Sequence, residues 1–313
     1  MDNLIISIEV VLPLFLMLVI GYLIRHFKVV TPDGFDQMNV LTFRLFLPLV
    51  IFRNIYESDL STAFNGKLIL TGIVMVLCMF ALAFVVVLKL EKGNRRRGVL
   101  IQGIFRSNFI IFGLSVATNM YGEEACGAVS LLITFIIPIY NVLAVVALES
   151  FRSNGKVRPM ALVKGIVTNP LILAAVLGML VLLSGLRFPA VLEDTIADLA
   201  SVATPLALVV LGGSFAIGSV KGNLRPLTIG LVGRLLVMPA LFLPFGVLLG
   251  FRGPELLGLM VMLGAPTAVS SYTMAQQMGG DSELAGELVV FGTMLSVVTI
   301  FLWTFLLKSL GYL

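Results

Sequence analysis

The sequence predicts an all-α integral membrane protein with ten transmembrane helices in two inverted five-helix repeats, residues 1–156 and 157–313. Three observations carry this: a lipid-like composition, ten apolar stretches of spanning length, and a chain that matches itself at a fixed offset. Of 313 residues, 59% are hydrophobic and 12% charged, against about 45–50% and about 25% in soluble domains. Mean hydropathy is +1.08, so hydrocarbon is the expected solvent.

A helix crossing ~30 Å of hydrocarbon needs ~20 mostly apolar residues. Ten stretches qualify, roughly 4–24, 37–55, 68–90, 99–120, 125–148, 161–184, 195–217, 226–250, 255–278 and 286–309. They leave almost nothing for a soluble domain. The opening MDNLIISIEVVLPLF has no basic leader and no small-residue cleavage site, so span 1 is expected to be retained. Cys78 and Cys126 give no disulfide framework. The single histidine, His26, sits between Arg25 and Lys28, which argues against a histidine metal site or proton relay.

Loop charges orient the spans. The loops after spans 1, 3, 5 and 7 carry Arg25 and Lys28; Lys89, Lys92, Arg95, Arg96 and Arg97; Arg152, Lys156, Arg158 and Lys164; and Lys221 and Arg225. The opposite side has only Arg53, Lys67, Arg187, Arg252 and Lys308. The positive-inside rule then predicts a multi-pass protein of the plasma or inner membrane with both termini non-cytoplasmic. The same bias explains the net charge of +4, and no nucleic-acid partner is needed.

Sliding the chain by 157 residues pairs Pro13 with Pro170, Gly21 with Gly178, Pro32 with Pro189 and Pro48 with Pro205. VVLPLFLMLVIGYL lies over VTNPLILAAVLGML, and one further residue of shift sets NMYGEE (119–124) over QMGGDS (277–282). Five spans per repeat force the second copy to enter from the opposite side. Inverted repeats are typical of secondary transporters, whose substrate sites lie at the midplane on interrupted helices.

GAPTAVSSYTMAQQ (264–277) puts a proline, five hydroxyl residues and two glutamines into span 9, and Pro266 aligns with Asn108 of span 4, GIFRSNFIIFGLSVATNMYG. Proline removes a backbone donor, and unwound backbone at membrane depth survives only where protein or a wet cavity satisfies it. Spans 4 and 9 are thus expected to be broken, crossing helices whose half-helix N-termini suit an anion. The plainer reading is that Ser and Thr permit close helix contact and Pro266 only kinks its helix.

Over essentially the whole chain the sequence resembles the auxin efflux carrier family, through FLPLVIF (46–52), RSNFIIFGLSVATNMYG (106–122), IYNVLAVVALE (139–149), GAPTAVSSYTMAQQMGGD (264–281) and FGTMLSVVTIFLW (291–303). The resemblance implies a fold like that of the bile-acid symporters, a scaffold of spans 1, 2, 6 and 7, and a transport domain of spans 3–5 and 8–10 moving in elevator fashion. It also implies that an asparagine in the span 4 break, matched by Asn108, contacts a substrate carboxylate. Ser107 and Ser115 stand where relatives often carry proline, which predicts a milder break in span 4.

The expected substrate-binding set is Arg106, Ser107, Asn108, Asn141, Ala265, Pro266, Thr267, Ser270, Ser271 and Tyr272. Arginines 44, 106 and 234 lie inside spans, where charge is costly. Arg106 is the expected second anion contact; Arg44 and Arg234 are expected to find structural partners or reach the interface. The expected function is carriage of a small organic anion without cofactor or ATP, since no GxxxxGK[ST] segment occurs. Proton coupling through Glu9, Glu149, Asp198, Glu283 or Glu287 and sodium coupling both stay open, as does a homodimer. Rival readings are a sodium-coupled bile-acid-type carrier and a non-transporting sensor on the same fold. An intramembrane enzyme would need a nucleophile and base or a metal site, and the single His26 in a loop argues against it.

Overall fold

Helices in this chain begin where a side chain or a proline relieves the free N–H groups of the first turn. Thr31, Asn65, Asn169 and Asp281 accept from the amides of Gly34, Leu68, Leu171 and Leu284. Pro32, Pro48, Pro170, Pro239 and Pro254 occupy first turns, where the missing N–H costs little.

The computed structural model describes residues 2–57, 65–122, 126–152, 159–215, 218 and 220–313, with backbone alone for 2–10, 159, 161 and 162. The expected repeat boundary at 156/157, Glu123 and Glu124 of NMYGEE, and the side chain of Glu9 lie outside the described residues. The described residues form fifteen α-helices and no strand: α1 (Asp2–His26), α2 (Pro32–Leu41), α3 (Leu47–Tyr56), α4 (Gly66–Leu90), α5 (Asn94–Phe105), α6 (Phe109–Tyr121), α7 (Cys126–Ser150), α8 (Pro159–Val167), α9 (Pro170–Ser184), α10 (Ala190–Ser214), α11 (Val220–Val232), α12 (Met238–Leu248), α13 (Gly253–Gly264), α14 (Ser270–Gln277) and α15 (Ser282–Ser309). Widened π-helical turns at Thr42–Phe46 and Gly233–Val237 join α2 to α3 and α11 to α12.

Six helical runs among these residues are long and apolar enough to cross a membrane: 32–56, α4, α7, α10, 220–248 and α15. Shorter apolar helices cover Val11–His26, Phe109–Tyr121, Pro170–Ser184 and Gly253–Gly264. The stretch 161–184, expected as one span, is interrupted between α8 and α9. Pro170 disfavours helix at the residue before it, and Asn169 caps the new start at 3.0 Å. Its alignment mate Pro13 lies inside an unbroken α1.

Two groups of contacts organise the core. α1 packs along α10 and α3 along α9. A Cβ on Gly21 of α1 or Gly212 of α10 would run into main-chain atoms of Val209 or Leu18, so glycine permits backbone-to-backbone approach there. Separately, α5 is flanked by α4, α7, α11 and α15. Between the two groups, α14 meets α2 through Gln276, whose amide donates to Asp36 Oδ1 at 2.7 Å and accepts from Asn39 Nδ2.

Candidate functional site

α5 stops at Phe105 and α6 starts at Phe109; α13 stops at Gly264 and α14 starts at Ser270. Between them Arg106 and Ala265 are extended (φ/ψ −89/125 and −64/151). The two gaps meet: Ser107 and Thr267 form an antiparallel bridge, and Asn108 N donates to Pro266 O at 2.8 Å.

A break inside an apolar core needs partners for every freed backbone group, and this one has them for the last four carbonyls of α5. Gln102 O accepts from Arg106 N at 3.0 Å, Gly103 O from Thr267 Oγ1 at 2.8 Å, and Ile104 O and Phe105 O from Arg234 Nη1 at 3.2 and 3.1 Å. Arg234 also donates through Nε to Ala265 O and through Nη2 to Met262 O, both at 2.7 Å. One buried guanidinium thus staples the C-terminal ends of α5 and α13, where carbonyl dipoles favour a cation. The interruption at 106–108 is three residues long, against five at 265–269, and it forms without a proline in α5 or α6. Arg234 and Thr267 supply the hydrogen bonds that make it stable.

The opposite ends carry the chemistry. The N-termini of α6 and α14 open toward one cavity of about 160 Å³, lined by Asn108, Ile110 and Ile111 on one side and Ala268, Val269 and Ser270 on the other. Neither helix has a side-chain cap; at α14 Ser271 N and Tyr272 N already donate to Ala268 O and Val269 O at 2.9 and 3.2 Å, which leaves the first-turn N–H groups of α6, that of Ser270 and the partial positive charge of both ends facing the cavity. Among the described residues Asn108 Nδ2 is buried without a hydrogen-bond partner. Arg106 lines the same cavity, 6% exposed, with Nη2 donating to Asn141 Oδ1 at 2.7 Å and Ser270 Oγ at 2.8 Å, and Nη1 on Met274 Sδ at 2.6 Å. Two helix N-termini, an amide donor and a guanidinium around one cavity are groups of the kind that can bind a small anion with a carboxylate-like fork.

Of the ten expected residues, Arg106, Ser107, Asn108, Asn141 and Ser270 line this cavity. Ala265, Pro266 and Thr267 stand behind it, their carbonyls and hydroxyl holding the break together. Ser271 is buried with its carbonyl on Gln102 Nε2 at 2.9 Å. Tyr272 lines a separate polar cavity with Arg25, Asp36, Ser214 and Gln276. Sequence reasoning missed Tyr140, Asn54 and Thr204 in the lining; a polar residue repeatedly interrupting an apolar span was the available signal. Arg44, expected to find a partner or the interface, is exposed on its π-helical turn and has no hydrogen bond or ion pair among the described residues. Among the candidate acids, Glu287 is buried and accepts from Asn223 Nδ2 at 3.2 Å, away from the cavity. Glu149 pairs with Arg152 at 2.7 Å.

A family model described as membrane transport protein matches residues 6–304. A candidate malonate transporter of Rhizobium meliloti (strain 1021) is 26% identical over 308 residues, 96% of this chain and 95% of the relative. Uncharacterised transporters of Methanocaldococcus jannaschii and Methanothermobacter thermautotrophicus are 23% and 24% identical, covering 97% and 96% of this chain and 100% and 98% of theirs.

Proposed function

The chain belongs to the membrane transport protein family, the auxin efflux carriers, and on that premise we propose that it is a secondary transporter of a small carboxylate working by alternating access. The observation that carries this is the convergence of Arg106, Asn108 and two uncapped helix N-termini on one cavity. A family of membrane transporters makes an enzymatic reading unnecessary.

In this proposal the chain crosses the membrane ten times as two inverted repeats, with both termini outside. The cavity is lined on one side by α3, α9 and α10 and on the other by α6, α7 and α14. That arrangement supports a cycle in which the second group, carrying the crossing as one body, moves against the first. A carboxylate would sit across the N-termini of α6 and α14 with Asn108 Nδ2 as donor, and a second carboxylate would take Arg106. The name of the R. meliloti relative favours a short dicarboxylate.

Counterflow in proteoliposomes tests the reading. Purified protein should exchange external labelled malonate, and its monocarboxylate analogue more weakly. Repeating it with imposed proton and sodium gradients separates uncoupled, proton-coupled and sodium-coupled carriage, including the bile-acid-type alternative. Specific binding without flux under any gradient would favour a sensor instead. For topology, Lys92→Cys should react with an impermeant thiol reagent only from the cytoplasmic side and Arg187→Cys only from outside; the reverse pattern would invert the orientation.

A further inference from the structure

A second cavity, of about 980 Å³, is larger than the one at the helix breaks and lies apart from it, sharing no lining residue. It is a groove between α4 and α11, both of which pack on α5, and α5 contributes Ile104 to its lining. Its walls are apolar, among them Leu82, Val86, Ile229 and Leu241. One end carries Lys221 and Arg225, and no carboxylate lines it anywhere. We propose that this groove holds one anionic phospholipid, with its phosphate on Lys221 and Arg225 and one acyl chain along the apolar walls.

Charge, depth and position support this occupant. Lys221 makes no hydrogen bond or ion pair among the described residues, while Arg225 spends one Nη2 contact, at 3.3 Å, on Leu90 O. Donor capacity is left over on both, beside Lys89 and Lys92 at the same end of α4. That is the face with the basic excess, the one expected to meet the anionic leaflet, and basic pockets between helices on that face suit lipid phosphates. A zwitterionic headgroup would bring its own cation to two cations with no acid to receive it. Along α4 the groove runs from Leu90 to Leu82, about 12 Å of helix at 1.5 Å per residue, close to the ~15 Å depth of one leaflet.

The floor gives the site a consequence. Ile104 supplies one of the carbonyls held by Arg234, and Gly233, which precedes Arg234, lines the groove. A seated chain therefore braces the two elements that Arg234 ties together, so occupancy should raise the stability of the crossing. This inference rests on the groove and its charges and does not require a carboxylate substrate.

The test uses purified full-length protein in neutral detergent, titrated with dioleoylphosphatidylglycerol or dioleoylphosphatidylcholine. Retained lipid is counted by native mass spectrometry and stability is read from thermal unfolding. The expected result is one tightly retained phosphatidylglycerol and a rise in unfolding temperature that phosphatidylcholine does not match. Replacing both cations, Lys221→Gln with Arg225→Gln, should weaken retention by roughly 10- to 30-fold at about 1 kcal/mol per basic residue. A control pair on the same face, Lys28→Gln with Lys164→Gln, should leave it intact. Thr228→Trp keeps the charges but fills the groove and should also abolish retention; glycerol phosphate, the headgroup without chains, should not compete. Equal retention of both lipids, equal loss in the control pair, or full competition by glycerol phosphate would each overturn the proposal. Because the exposed Gln substitutions leave the core untouched, their unfolding temperatures without lipid should equal wild type, and a drop there would mean the cations serve the fold instead.

Discussion

Arg106 and Arg234 are both buried at the same crossing, yet they meet opposite ends of its helices. Arg234 donates four hydrogen bonds to main-chain carbonyls at the C-terminal ends of α5 and α13. There a cation is drawn in by the dipoles, and four of its five N–H donors go to those carbonyls. Arg106 lies beside the N-terminal ends of α6 and α14, where dipoles repel a cation, and it is held by neutral oxygens of Asn141 and Ser270 and by a thioether. A cation among partial positive charges is short of negative partners. The first arginine closes the structure; the second is the one that the anion of the proposed function would complete.

The contrast breaks most visibly at Arg234. Arg234→Met strands four buried carbonyls, and removing one member of a buried charge arrangement costs about 3–5 kcal/mol. Little folded protein should survive purification, and Arg234→Lys should recover only part, because an ammonium lacks the planar fork. A normal unfolding temperature for Arg234→Met would erase the distinction between the two residues.

Arg106→Gln should instead spare stability and weaken anion binding. Loss of a charge-assisted hydrogen bond is worth about 1.5–3 kcal/mol, or roughly 10- to 150-fold in affinity. Calorimetry with a matched pair should show this loss on a dicarboxylate and far less on its monocarboxylate analogue. Equal small losses on both would remove Arg106 from the ligand.

Asn108→Ala comes next. It deletes a buried donor that has no partner among the described residues, so unfolding temperature should hold or rise slightly. Affinity for mono- and dicarboxylates should fall together, by about tenfold for a hydrogen bond to a charged group. A fall in stability with unchanged affinity would make Asn108 a helix-end residue only.

The smallest expected effect is at Gln276→Leu, which removes the amide shared by Asp36 and Asn39. Binding should be unchanged while exchange rate shifts by a few-fold, measured by counterflow at saturating substrate. A binding change equal to that of Arg106→Gln would show that α14 reports on the ligand directly.

Much of this was legible in the sequence, because hydrophobic runs and polar intrusions are local properties. Asn108 and Pro266 marked the two breaks, and Arg106, Asn141 and Ser270 could be named from polarity alone. The break at Asn169 was not read because a proline at a helix start and one inside a helix look alike; Pro13 and Pro170 align but only one interrupts. Arg234 was taken as structural without its task being visible, since its partners are carbonyls of Ile104, Phe105, Met262 and Ala265, and carbonyls leave no trace in residue identity. Ser271 and Tyr272 missed the cavity because α14 is a helix: neighbours of Ser270 in sequence point about 100° and 200° away from it.

Gly21 and Gly212 bring main chain against main chain, with no rotamers in between. Side chains at a contact act as springs that flip between staggered wells, and α1 with α10 has none at that point. The pair behaves as a stiff beam. In the proposed cycle compliance is left to contacts such as Gln276 on Asp36 and Asn39, where long polar groups can trade partners. In that cycle residue size would set the mechanics: small residues would weld the frame, and long amides would form the slip plane.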